Sequence, residues 1–234
     1  LIEDALTLAR RIGYDNIGTF EFLVDADREG GYAFIEANAR LQVEHTVTEE
    51  VTGIDLVETQ LRLAQGASLD GLGLDVGEVP LPRGYAIQLR VNMETMDASG
   101  AAKPAGGTLS AFEPPSGPGV RVDTFGYAGY TTNPNFDSLL AKLIVHHASP
   151  DYAEVMARTR RALAEFRIEG CATNIGFLQN LIADDEVAAN NVYTRLIDDR
   201  AAELTADGTP AQSKRYFTDG AATATAAHVK VEGP

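Results

Sequence analysis

Basic side chains are scarce: 19 Lys and Arg stand against 34 Asp and Glu, for a net charge of −15, and no block of cations gathers anywhere. A polyanion finds no footprint on such a chain, so nucleic acid and anionic membrane surfaces are poor partners. Cysteine occurs once, at Cys171. That excludes an internal disulfide and fits a cytoplasmic compartment, and the plainest use of the thiol is as a small apolar core side chain. No apolar run approaches about 18 residues and no signal peptide is present, so nothing is expected to span a bilayer. Internal repeats are missing, and so is an initiator methionine. The chain opens at Leu1 inside a helical pattern and reads as a piece of something longer. Its 234 residues, 44% hydrophobic, suffice for one large or two modest domains with a real core.

The most informative stretch is residues 34–53, FIEANARLQVEHTVTEEVTG. Over 32–44 the polar side chains Glu36, Asn38, Arg40, Gln42 and Glu44 fall on every second position, so an extended backbone puts them on one face. The other parity, Ala33, Ile35, Ala37, Ala39, Leu41 and Val43, belongs in a core. A half-buried strand normally shows its polar face to water. Two carboxylates, a carboxamide and a guanidinium within nine positions are also a ligand and anion-binding set. Upstream, Thr19–Val24 reads as a partner strand carrying Glu21, joined through the turn-forming DADREGG. A hairpin turning near Arg28 brings Glu21 close to Glu36. Facing carboxylates repel unless a cation bridges them, and a few hard oxygen ligands suit Mg²⁺ or Mn²⁺ carrying substrate phosphates.

Around this stretch the chain divides. Residues 2–12 carry Ile2, Ala5, Leu6, Ala9 and Ile12 on one helical stripe that should cover the sheet, with Gly13 as a stop. Ile54, Val57, Leu61 and Ala64 recur at helical spacing, with Asp55 and Glu58 at capping-box separation and Gly66 to terminate. Gly, Asp and Pro dominate 67–83, read as the passage between two halves. GYAIQLRVN then alternates, with Tyr85, Ile87, Leu89 and Val91 inward and Gln88, Arg90 and Asn92 outward. Short strands at 108–112 and Val120–Thr124, with a longer one at Leu139–His147, suggest a small antiparallel sheet, curled or barrel-like. Ser149 and Pro150 should open a helix through Val155, Met156, Leu163 and Phe166, and Asn174 the next one. Beyond Ala201 the chain reads as a flexible tether.

The runs FEF, FIEANARLQVEH, VTGIDLVETQLRLA, GYAIQLRVN, DSLLAKLIVHH and TNIGFLQNLI, in this order, resemble the biotin carboxylase branch of the ATP-grasp ligases over nearly all of residues 1–200. The resemblance implies an α+β fold: the C-terminal portion of an ATP-grasp domain over 1–80, the biotin carboxylase C-terminal antiparallel-sheet domain, barrel-sandwich hybrid-like, over 81–200, and a linker over 201–234. It implies an ATP-dependent carbon–nitrogen ligase that makes carboxyphosphate from ATP and bicarbonate and then carboxylates carrier-bound biotin. Glu21, Glu36 and Asn38 match the metal ligands. Arg40, with the backbone near Gln42 and Val43, matches the bicarbonate clamp. Glu44 matches the general base, and Arg90 the cation that meets biotin. Implied partners are a biotin carboxyl carrier domain and a carboxyltransferase domain or subunit; RALAEFRIEG and VKVEGP resemble pyruvate carboxylase and single-chain acyl-CoA carboxylases more than the short bacterial subunit. His45, His146, His147 and Asp137 are read as structural.

Five positions depart from the family pattern: Thr46 for Pro, which should loosen a turn; Ala37 for a larger apolar residue; Thr95 and Met96 after Glu94; and Pro118, which puts the familiar dimer in question and leaves association to the parent enzyme. The family's glycine-rich lid and phosphate-binding lysines lie upstream of this region, so the fragment alone should bind ATP weakly and turn over little. Two other readings stay open: a different ATP-grasp ligase such as a carbamoyl phosphate synthetase, and a non-catalytic assembly module of a larger carboxylase.

Overall fold

The computed structural model of the chain describes residues 1–74, 81–133 and 135–206. Helix α1 (Ile2–Ile12) ends where Gly13 turns left-handed (φ 63°), a conformation that costs glycine little and other residues more. Strands β1 (Thr19–Val24) and β2 (Tyr32–Asn38) form an antiparallel hairpin. Helix α2 (His45–Thr52) follows, and then α3 (Leu56–Ala64), whose N-cap Asp55 accepts from the Glu58 N–H at 2.7 Å as the capping box requires.

The second half is built on a three-stranded antiparallel sheet with a long central strand. Strand β3 (Tyr85–Asn92) lies on one side of it; β4 (Glu94–Met96) and β5 (Ala102–Pro104) pair separately, as do β6 (Ala111–Glu113) and a later strand, β9. Strand β7 (Val120–Thr124) lies on the other side of the central β8 (Leu139–His147). Helix α4 (Tyr152–Glu165), β9 (Arg167–Glu169) and α5 (Ile175–Ala183) complete the unit. The short strands thus pair as separate ladders rather than closing into a barrel among the described residues.

The sheet has two unlike faces because side chains alternate. Leu89 and Val91 of β3 with Ala141, Leu143 and Val145 of β8 meet Val155, Met156, Ala162 and Leu163 of α4 and Leu178 and Ile182 of α5 in one buried cluster. The opposite parity places Gln88, Arg90, Arg121, Asp123 and Lys142 on the other face, where α2 and the turn before it sit. The core of the described chain is therefore under β8, and the first hairpin lies outside it.

Several expectations are corrected here. The stripe of α1 has no buried residue, and Ile2 and Ile12 are more than half exposed, so this helix does not seal a sheet among the described residues. The apolar parity of β2 is open too: Ala33, Ile35 and Ala37 are all exposed. Helix α4 is capped by Asp151, which accepts from Ala153 N–H at 2.9 Å, while Ser149 accepts from Asp151 N–H one step earlier. Asn174 precedes α5 but spends its side chain elsewhere, accepting from Asn92 N–H at 2.9 Å and donating to the Arg90 carbonyl. Ala201 and Leu204 are buried in a helical turn whose Leu204 carbonyl accepts from Asn180 of α5, so any tether starts beyond 204. Residues 207–234, with the VKVEGP run, and 75–80 of the passage between halves lie outside the described residues.

Candidate functional site

The hairpin register sets Glu21 directly opposite Glu36, with a bulge between Glu21 and Phe22. A bulge re-aims side chains locally. Both carboxylates accept from one donor, the Asn38 amide, which lies 3.0 Å from Glu21 Oε1 and 2.9 Å from Glu36 Oε1. Gln42 Nε2 adds a second bond to Glu21 Oε1 at 2.8 Å. Two like charges thus converge on amide hydrogens where a cation would balance them better. The donor set is hard oxygen and small in number, which fits Mg²⁺ or Mn²⁺ with positions left for substrate oxygens. Among the described residues no group of three or more His, Cys, Asp or Glu side chains could hold a metal ion, so any metal here relies on the two glutamates and an amide.

Strand β2 ends at Asn38, and residues 39–44 form a turn leading into α2. The expected continuous strand through Glu44 is therefore not formed. Its ladder runs out because β1 begins at Thr19, the partner of Asn38, which leaves nothing for later residues to pair with. The polar set nevertheless stays together. Arg40 is exposed, with one long contact to Asn38 Oδ1 (3.5 Å) and one to the Leu41 carbonyl (3.4 Å), so its guanidinium fork is open to an anion. The Val43 N–H has no acceptor among the described residues. Arg40 and Glu44 make no hydrogen bond to each other.

Glu44 is the N-cap of α2, and its carboxylate accepts from Arg90 Nη2 at 2.8 Å. This contact brings the last residue of the carboxylate stretch to the β3 arginine of the second sheet. Three further ties hold the two parts in place. Thr46, fully buried, donates its hydroxyl to Gln88 Oε1. Lys142 Nζ lies 3.3 Å from the Val43 carbonyl. Arg121 donates to Glu49 Oε2 and to Asp123, both at 2.8 Å. Thr46, where the family pattern suggests Pro, thus adds a cross-element hydrogen bond.

Electrostatics is concentrated in this second set. Burial works to raise the Asp123 pKa, but hydrogen bonds from Arg121 and Lys142 outweigh it and hold the carboxyl below the ordinary value. Arg121 is pushed up, chiefly by its hydrogen bond to Asp123. Glu49, buried, also accepts from Leu56 N–H at 3.0 Å and so caps α3. His45 bonds the Gln42 carbonyl through Nδ1 at 2.7 Å, and His146 bonds the Arg83 carbonyl through Nε2 at 2.8 Å, both as structural histidines would. Asp137 accepts from Leu139 N–H at 2.8 Å, a structural backbone bond at the start of β8.

Residues 88–199 match the family model described as the biotin carboxylase C-terminal domain. The chain belongs to the biotin carboxylase family. Residues 1–72 match the model described as the carbamoyl-phosphate synthase L chain, ATP binding domain, so the carboxylate hairpin lies in the ATP-grasp part. The chain is 44% identical over 200 residues to human mitochondrial pyruvate carboxylase, covering 85% of this chain and 16% of that protein. Among solved structures, a single-chain, multi-domain long-chain acyl-CoA carboxylase superposes with a TM-score of 0.82 at 46% identity, over 87% of this chain and 22% of the other. The biotin carboxylase domain dimer of the 2-oxoglutarate carboxylase of Hydrogenobacter thermophilus, solved with MgADP, ADP and bicarbonate, superposes with a TM-score of 0.74 at 34% identity, over 86% of this chain and 42% of the other. This chain therefore spans less than half of each of these proteins.

Among the biotin carboxylase residues expected from sequence, Glu21, Glu36, Asn38 and Gln42 form one hydrogen-bonded group, and Glu44 and Arg90 a second. Sequence reasoning missed Gln88, Arg121, Asp123 and Lys142. Their signal was present: Gln88, Arg121 and Asp123 are polar residues of alternating strands, and Lys142 interrupts the apolar run LLAKLIV.

Proposed function

We propose that this chain is part of an ATP-dependent biotin carboxylase, within a larger acyl-CoA or pyruvate carboxylase, that activates bicarbonate with ATP and carboxylates carrier-bound biotin. One observation carries the reading: Arg90 of the C-terminal domain meets Glu44 at the end of the ATP-grasp carboxylate stretch, so groups suited to both half-reactions share one site.

Glu21, Glu36 and Asn38 would hold a magnesium or manganese ion, which would supply the charge neutralisation that phosphoryl transfer from ATP needs. Arg40 offers a planar fork for bicarbonate, with the Val43 N–H as a further donor. Glu44 accepts a proton as general base. Arg90 holds positive charge where the ureido oxygen of biotin becomes enolate-like. Its bond to Glu44 keeps both residues in register before substrate enters. The partners in this reading are a biotin carboxyl carrier domain and a carboxyltransferase, and the setting is cytoplasmic, in accord with one unpaired cysteine. The working boundaries are 1–80 for the ATP-grasp part and 81–200 for the C-terminal domain.

The test is bicarbonate-dependent ATP cleavage by the full-length parent enzyme. Arg40→Ala and Glu44→Gln should each abolish it while circular dichroism is unchanged. Unchanged turnover in both variants would leave an assembly module as the better description.

A further inference from the structure

Lys142 is the one charged side chain in β8 before its closing histidines, and only 12% of its side chain is exposed. Taking an ammonium out of water is costly unless it is paired and its protons are bonded. Its counter-charge is Asp123 on the neighbouring strand, with Nζ 3.2 Å from Oδ2. Asp123 is itself held by two Arg121 nitrogens, at 2.8 and 3.1 Å, so the pair rests on a fixed base. The remaining contact of Lys142 is the Val43 carbonyl at 3.3 Å, reached across 99 residues of sequence.

The register gives this contact its meaning. Lys142 stands directly opposite Arg90 in the β3 and β8 ladder, and Asp123 directly opposite Lys142 in the next. Two adjacent cations therefore grip one residue from two ends: Arg90 takes the side chain of Glu44, and Lys142 takes the carbonyl of the peptide that leads into it. A side-chain bond alone leaves the backbone of an exposed turn free to rotate. Fixing the Val43 carbonyl fixes the plane of the Val43–Glu44 peptide and with it the start of the Glu44 side chain.

We propose that Lys142 is a positioning residue for the carboxylase site, an ammonium anchored by Asp123 that sets the 42–44 turn so that Glu44 is presented to Arg90 and substrate. The proposal rests on the functional reading above. It names a residue that touches neither substrate nor the reacting atoms and acts through the turn.

The test uses Lys142→Met, which fills the same slot without charge, and Lys142→Arg, which retains it, in the full-length enzyme. For Lys142→Met, kcat for biotin carboxylation should fall about 10- to 100-fold, the scale that a misplacement of about 1 Å produces. The KM for ATP should stay within about twofold, and amide hydrogen exchange at His45 and Val47, whose N–H groups bond the Gln42 and Glu44 carbonyls, should quicken. Lys142→Arg should recover most of the kcat. If Lys142→Met does not fold, Lys142→Leu, which also removes the donor, replaces it under the same criteria. Normal kcat in the uncharged variant, alongside an inactive Glu44→Gln, overturns the positioning role and leaves the site reading intact. A fully active Glu44→Gln instead overturns the site reading itself. A loss of stability with no change in kcat or in exchange at the turn assigns Lys142 to packing alone and also overturns the proposal.

Discussion

Arg90 and Glu44 stand 46 positions apart in the chain and meet at 2.8 Å, each about half exposed. An ion pair so open to water contributes at most about 1 kcal/mol to stability. Its worth lies in chemistry, which separates the two kinds of measurement. Arg90→Gln should shift the thermal midpoint of the full-length enzyme by no more than a few degrees. Bicarbonate-dependent ATP cleavage should persist, whereas carboxyl transfer to biotin should drop by at least about 100-fold, since a preorganised charge on a developing oxyanion is lost. Equal loss of both activities would mean that Arg90 serves the first step instead.

Glu21 and Glu36 share the Asn38 amide as their common donor. Asn38→Ala removes it and leaves two facing carboxylates, so in chelator the variant should lose about 1 kcal/mol by urea denaturation. Millimolar Mg²⁺ should restore part of that loss, because a ligand that binds only the folded state stabilises it. No response of the variant or the parent to Mg²⁺ or Mn²⁺ would remove the metal from this position.

Asp123 gives the fold an acid limit. Its folded pKa lies below the ordinary carboxylate value, held down by Arg121 and Lys142 against burial. The folded state therefore gains from the charged form at any pH above the unfolded value, and that gain is lost as pH falls through the folded value. Denaturant midpoints measured between about pH 6 and pH 3 should decline toward acid, and Asp123→Asn should flatten the decline. A variant curve parallel to the parent would show that other carboxylates control acid unfolding.

Leu143 and Ile35 test where the core lies. Leu143 has no exposed surface, whereas Ile35 is 56% exposed on β2. Leu143→Ala should cost about 2–5 kcal/mol, and Ile35→Ala about 0.5 kcal/mol or less in the 1–234 chain. Comparable costs at both sites would contradict the assignment of the core to β8 and its helices.

Much of this was legible from alternation. The Glu21 and Glu36 pairing followed from parity and a turn-rich connection, and β3, β7 and β8 have the bounds their patterns suggest. Parity did not say where pairing stops. Residues 40, 42 and 44 kept the polar alternation of a strand, but they sit in a turn because no part of β1 reaches them. Nor could an apolar face say what covers it, as the exposed Ile35 and Ile12 illustrate. The ties that join the two halves, Thr46 to Gln88, Arg121 to Glu49 and Lys142 to Val43, link residues 42 to 99 positions apart. Local spacing carries no information at that range.

The two-faced central sheet makes folding and chemistry answer to the same alignment. Sliding β3 by a single position along β8 would turn Arg90 toward the oily side occupied by Leu143 and Leu163 and deliver Leu89 to Glu44. Such a misthreaded chain would lose its interior and its working arginine together, so quality control that senses exposed Leu and Val would remove the inactive forms without any need to test for activity.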